Sequence, residues 1–284
     1  YIDDIEFNPK SILKKIVLFT LLIQVVGSIL LIPGLYKAGD QHFIFNSIFL
    51  SISAFCNAGF SPSSDSLSGF SGNWYVLSII MGLIILGGIG FVVFTNIAQK
   101  IRFARKGQIF YLSLHVKIVL ISTVVLIVSG FVFTFISFYK TSLWEIPLSK
   151  RILTALFESV TLRTAGFETI PQTSFTSSAS LFHLVLMFIG GSPGSIAGGV
   201  KTTTAFITLL YLLDGNEQHT TVSFANRRIP STIINKSITI VSRSVLILLI
   251  SALSLSYVEN HLISNGTISL IDIIYESVSA LATV

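Results

Sequence analysis

The sequence predicts an all-α membrane protein built from repeated units, each a span, a re-entrant half-helix, an extended loop and a second span. Three observations carry this reading. The chain is poor in charge, its ionised residues leave long apolar stretches between them, and the succession of long and short apolar segments recurs. Of its 284 residues, 52% are hydrophobic and 11% charged, against about 25% charged in an ordinary soluble domain. No ionised residue falls between Lys15 and Lys37, Asp65 and Lys100, Lys117 and Lys140, or Glu168 and Lys201. Each gap reaches the roughly 20 residues that a helix needs to cross a bilayer.

Taken in order, residues 1–15 are mixed in charge and read as a cytoplasmic lead-in. Residues 16–36 form the first span, which Pro33 and Gly34 are expected to end. It lacks the A-x-A-like site of a cleaved leader. Residues 43–56 are apolar but only about 14 long, which suits a half-helix better than a crossing, and they run straight into Asn57-Ala58-Gly59-Phe60. A Ser/Gly-rich stretch, 61–73, precedes a second span near 74–97, and a basic linker covers 98–117. The pattern then repeats as span 118–138, polar loop 139–149, short apolar segment 151–162 and Arg163-Thr164-Ala165-Gly166-Phe167. A long apolar run, 181–213, is broken in its middle and leads to a second cytoplasmic linker, 214–237. A third round opens with a span near 238–258 and a short segment, 268–282, that ends at Thr283-Val284. The units are therefore 1–97, 118–213 and 238–284, at a spacing of roughly 110 residues, far longer than solenoid repeats.

The repeats can be aligned residue by residue. Residues 49–59 (FLSISAFCNAG) lie over 275–284 (YESVSALATV) without a gap, and 157–166 (FESVTLRTAG) joins them with one residue deleted. The register predicts a glycine after Val284. With Tyr1 in place of an initiator Met and an end inside an apolar run, the chain is expected to be a piece of a longer protein.

The net charge of +5 follows topology. Lys100, Arg102, Arg105, Lys106 and Lys117 fall in the first linker without an acid, and Arg227, Arg228, Lys236 and Arg243 in and just after the second. Both stretches should be cytoplasmic by the positive-inside rule, so nucleic acid is not an expected partner. The lone Cys56 excludes an intrachain disulfide.

The chemistry lies in the short loops. A cation stripped of water needs oxygen ligands, which rings of backbone carbonyls can supply. Extended backbone at membrane depth is tolerable only where protein buries it or it lines a water-filled cavity. Gly59 and Gly166 can take dihedrals that turn carbonyls toward one axis, and the half-helix before each loop aims a partial negative charge at the same place. A glycine cap on an ordinary helix is the plain alternative for one such loop. Two copies after matched half-helices, with the lead-in to a third, favour the cation site.

The broken run holds Gly190, Gly191, Ser192, Pro193, Gly194, Ser195, Ile196, Ala197, Gly198 and Gly199, followed by Val200 and Lys201. Six of these ten are glycine or proline, so a continuous helix is not expected. A mobile loop in mid-membrane suits a gate. A Walker A phosphate loop is the competing reading, but Val200 intrudes before Lys201-Thr202 and no βαβ context surrounds it.

Arg163 has two readings: tuning or bracing the adjacent loop against Glu158 or Glu276, or reaching the outer interface. Lys201 either helps to close the path electrostatically or extends to the cytoplasmic side. His115 and His183 stand apart without metal-ligand spacing and read as structural. No nucleophile–base set is present, so an enzyme is not expected. Trp74 and Trp144 sit where interfacial anchors belong.

These residues together resemble the Trk/Ktr/HKT superfamily of potassium transporters, most nearly the membrane subunit of bacterial Ktr-type systems. Residues 52–60 (ISAFCNAGF), 160–167 (VTLRTAGF) and 187–204 (MFIGGSPGSIAGGVKTTT) carry the likeness. Residues 276–284 (ESVSALATV) and 113–117 (SLHVK) add to it. The resemblance implies four such units around a pseudo-fourfold pore, this chain holding the second, the third and the start of the fourth. It implies potassium-binding carbonyls at Asn57, Ala58, Gly59, Thr164, Ala165, Gly166, Thr283 and Val284. Cys56, Phe60, Arg163 and Phe167 would flank them, with 190–199 and Lys201 as the gate. Potassium would be the substrate and sodium a candidate coupling ion, with no covalent cofactor. It implies a multi-pass, bacterial-type protein of the cell membrane, assembled as a homodimer on a cytosolic ring of nucleotide-binding regulatory subunits. Cys56 departs from a usual Asn, and Ala282 from a common Gly. The alternative class, a sodium-coupled solute carrier with discontinuous helices, would need a pocket of charged or aromatic side chains.

Overall fold

The computed structural model describes residues 9–139, 141–214, 222–225 and 227–284. The expected lead-in falls partly on 1–8 and the second linker partly on 215–221, outside the described residues. Within them the regular elements are helices apart from one short hairpin. In order come α1 (Pro9–Lys37), α2 (Phe43–Phe55), α3 (Trp74–Ile89), α4 (Phe91–Arg105), α5 (Leu114–Ser137) and α6 (Leu148–Thr161). Then follow α7 (Ser177–Phe188), α8 (Thr202–Asp214), the hairpin β1 (Val222–Phe224) and β2 (Arg227–Ile229), α9 (Ser231–Val258), α10 (Asn260–Ser264) and α11 (Leu270–Ala282).

α1, α5 and α9 are long and apolar enough to cross a membrane. Their outward faces leave Leu18, Leu22, Val124 and Leu253 more than half exposed, which suits lipid rather than water. Helices start at side-chain caps where the sequence supplies them. Asn73, Ser113 and Thr176 each accept the backbone N–H three residues on, and Ser269 closes a capping box with Asp272.

The structure departs from the expected spans in two places and gives both linkers secondary structure of their own. Pro33 does not end the first span but lies inside α1. Against this turn packs α3, whose Tyr75 hydroxyl donates to the Leu30 carbonyl at 2.8 Å. The second span is not one helix, because α3 and α4 meet at 94° about Gly90, which has φ 86°. The first linker is largely helical, since α4 runs to Arg105 and α5 starts at Leu114. The second linker contains an antiparallel hairpin pairing Val222 with Ile229.

Close approach of α1 to α2 and α3 depends on glycine. A Cβ at Gly27 would lie 2.5 Å from Ser51 Oγ and 2.8 Å from a Leu83 methyl, and one at Gly34 would lie 2.7 Å from Val76 Cγ2. Small residues let helices approach where the hydrophobic effect no longer drives association. The main core joins Leu31 and Leu35 of α1, Leu50 and Phe55 of α2, and Ile80 and Ile84 of α3 to Leu153 and Phe157 of α6. Both half-helices α2 and α6 thus pack on one buried scaffold.

Candidate functional site

The half-helices α2, α6 and α11 end in the same way, and their loops meet. The first loop residues Asn57, Thr164 and Thr283 are left-handed, with φ of 51°, 72° and 59°. In each, the following N–H turns back to the half-helix. Ala58 donates to the Ser53 carbonyl (2.9 Å), Ala165 to Thr161 (2.8 Å) and Val284 to Ser279 (3.0 Å). This is the wrapped helix end that glycine usually makes. Placing a residue with a Cβ there costs roughly 1–2 kcal/mol, so the break is imposed by surroundings. Two residues on, Gly59 and Gly166 are again left-handed at 72° and 76°.

A hydroxyl side chain at the same register of each half-helix holds a carbonyl of the loop that follows. Ser53 Oγ donates to the Phe60 carbonyl at 2.8 Å, and Ser279 Oγ to the Val284 carbonyl at 2.7 Å. Thr161 Oγ1 does both jobs, donating to the Phe167 carbonyl at 2.9 Å and accepting from its N–H at 2.8 Å. These three residues were not among the sequence-derived candidates. Their signal was present, because the alignment of the repeats puts a hydroxyl side chain at this position in all three.

The loops stand backbone to backbone. A Cβ at Gly59 would overlap the Ala165 carbonyl oxygen, and one at Gly166 would lie 2.7 Å from the Val284 carbonyl carbon. The Asn57 amide is buried between them. Turned with its nitrogen toward α3, it donates to the Ile84 carbonyl at 3.2 Å, with Thr164 Oγ1 3.5 Å from its other end. Beyond Gly166, Leu67 N donates to the Glu168 carbonyl and Glu168 N to Ser66 Oγ. A cavity of about 270 Å³ opens there, lined by Gly166, Glu168, Gln172, Tyr275, Glu276 and Val284.

The flanking residues divide. Phe167 is fully buried, whereas Phe60 is 71% exposed. Cys56 is half-buried and receives Gln24 Nε2 at 3.6 Å. Arg163 is buried at 6% exposure, so it does not reach the outer interface. Glu158, fully buried, takes its hydrogen bond from Gln172 Nε2 at 3.1 Å, and Gln172 in turn accepts from the Tyr275 hydroxyl at 2.9 Å. His183 packs structurally, its Nε2 3.1 Å from Thr134 Oγ1. Trp74 Nε1 donates to Ser149 Oγ, and the Arg151 guanidinium lies over the Trp144 ring.

Between α7 and α8 the chain leaves the helix as expected. Its neck is closed by backbone bonds, Gly190 N to the Val200 carbonyl and Val200 N to the Phe188 carbonyl, both 3.0 Å, with Thr202 N to Gly191 at 2.9 Å. The loop 190–199 abuts the second and third short loops. A Cβ at Gly190 would lie 3.1 Å from Thr164 Cγ2, and one at Gly198 would overlap the Ala282 carbonyl oxygen and Thr283 Oγ1. Lys201 turns back onto this loop instead of extending away, its Nζ donating to the Ala197 carbonyl at 2.5 Å.

A family described as "TrkH: Cation transport protein" matches residues 4–284. The chain is 33% identical over 285 residues to the Ktr system potassium uptake protein B of Vibrio alginolyticus, covering 98% of this chain and 60% of that protein. It is 35% identical over 196 residues to the potassium/sodium uptake protein NtpJ of Enterococcus hirae, covering 68% and 42%. Its fold is similar to the crystal structure of the potassium transporter TrkH from Vibrio parahaemolyticus, with a TM-score of 0.65 at 19% identity, over 86% of this chain and 51% of that one. The chain thus spans 60% or less of the length of these relatives.

Proposed function

The chain belongs to the TrkH cation transport protein family, within the Trk/Ktr/HKT superfamily, and from that premise we propose that the whole protein takes up potassium across the bacterial cell membrane. The observation that carries this reading is the meeting of three short loops, each broken from its half-helix by a left-handed residue. Carbonyls of Asn57, Ala58, Gly59, Thr164, Ala165, Gly166, Thr283 and Val284 replace water around the ion. The half-helix ends behind them each contribute about half a negative charge. The loop 190–199, pressed against Thr164 and Thr283 on its way between α7 and α8, is the gate. Names of the relatives support potassium as the substrate. The potassium/sodium name of NtpJ supports sodium as the coupling ion to include in assays. The basic linkers face a cytosolic nucleotide-binding ring on which the protein sits as a homodimer.

Full-length protein in cells deficient in potassium transport is expected to restore rubidium uptake. Membrane-inserted protein with no uptake above background would overturn the reading. Thr161→Val tests the role of the hydroxyl side chain. It keeps the shape of the side chain and removes both hydrogen bonds to Phe167, a buried loss of about 1–3 kcal/mol. Potassium-over-sodium selectivity should drop about tenfold or more, with Thr161→Ser retaining it. The measurement is competitive rubidium and sodium uptake.

A further inference from the structure

α3 ends at Gly90 with its last carbonyls pointing out of a broken helix. Carbonyls at a helix end have no partner within that helix, and at membrane depth they must find one elsewhere. Here the partners come from the glycine-rich loop about a hundred residues away. Ser192 N donates to the Gly88 carbonyl at 2.9 Å, Ile196 N to Gly87 at 3.4 Å, and the Ser192 hydroxyl to Ile89. In return Phe91 N, in the first turn of α4, donates to the Gly194 carbonyl at 3.4 Å. Gly90 admits nothing larger. A Cβ on it would lie 2.8 Å from Ser192 Oγ and 3.1 Å from the Gly194 carbonyl.

The same three carbonyls would have different partners in a straight helix. Under i→i−4 pairing, Gly87, Gly88 and Ile89 would accept from Phe91, Val92 and Val93. The loop and a continuous α3–α4 helix therefore compete for one set of acceptors, and only the bent form holds the loop. α4 is packed in its first half only. Its first half is anchored by Phe19 against Phe91 and Phe94, and by Val93 against Val116 and Val119. From Ala98 to Arg105 every residue is exposed, including Lys100, Arg102 and Arg105.

We propose that the Gly90 elbow is the clamp that holds the loop 190–199 in its closed position, with Ser192 as the positioning residue, so that the direction of α4 sets the gate. The word gate rests on the transport reading above; the clamp itself does not. Anything that draws the basic distal half of α4 into line with α3 releases the loop by returning its acceptors to the helix.

The test compares Ser192→Ala with Ser192→Thr in full-length protein, by amide hydrogen exchange and by rubidium flux into liposomes without any partner. Ser192→Ala should lose protection at the amides of residues 192 and 196 and raise resting flux about fivefold. Ser192→Thr, which keeps the hydroxyl, should restore both toward wild type. Unchanged protection in Ser192→Ala, or a flux at or below wild type, overturns the clamp. If neither wild-type nor Ser192→Ala liposomes carry rubidium, the transport reading falls. The clamp then stands or falls on exchange alone, supported by protection lost in the alanine variant and kept in the threonine variant.

Discussion

Gly59→Asp and Gly166→Asp should each reduce rubidium uptake by about a hundredfold or more, while the protein still reaches the membrane. Both positions are left-handed, at φ 72° and 76°, which costs a residue with a Cβ roughly 1–2 kcal/mol. Lack of space matters more. The new Cβ would overlap the Ala165 carbonyl oxygen in one case and lie 2.7 Å from the Val284 carbonyl carbon in the other. Those neighbours are backbone of another loop, so they cannot rotate away. Relief requires separating the loops by an ångström or more, which destroys ion coordination by carbonyls. Each 1.36 kcal/mol is tenfold in rate, and strain and separation together exceed two such steps. Gly69→Asp is the control, because nothing lies within 4 Å of a Cβ there. Uptake assays with quantified membrane protein check the result. Unaltered flux and selectivity in both loop variants would remove these loops from the ion path.

Deletion of residues 194–198 should act in the opposite direction, raising resting flux about tenfold or more as a closed population opens. The excised residues include Gly198, pressed on the Ala282 carbonyl and Thr283 Oγ1, and Ala197, whose carbonyl holds Lys201. The deletion also removes Ile196 N and the Gly194 carbonyl from the elbow. The neck bonds between 188–191 and 200–202 remain, so α7 and α8 keep their junction. Isotope flux in liposomes gives the comparison. A flux equal to wild type would reduce the loop to a structural break in the span.

Much of the architecture is legible in the sequence. Apolar length alone separated α1, α5 and α9 as spans from α2, α6 and α11 as half-helices. The internal alignment put Asn57, Thr164 and Thr283 in register, and the structure gives all three left-handed backbone. The same alignment carried the hydroxyls of Ser53, Thr161 and Ser279, which went unread because a Ser or Thr in an apolar helix usually bonds its own backbone.

Other features had no signature along the chain. Gly87, Gly88 and Gly90 lie in an apolar run, and glycine is ordinary in membrane helices, so a bend of 94° could not be told from a straight crossing. Pro33 reads as a stop on local grounds alone, whereas the contacts of Tyr75 and Val76 with this turn come from another helix.

The amino-acid order by itself set which segments are long and apolar enough to cross a bilayer and which are shorter, because lipid selects on length and polarity read one segment at a time. Tertiary structure decided where α3 breaks, what holds the glycine-rich loop, and how closely the short loops approach. Those outcomes are made by main-chain N–H and C=O groups that every residue but proline carries alike. Their pairing depends on which distant carbonyl is left over when a helix ends, and only the assembled fold supplies that partner.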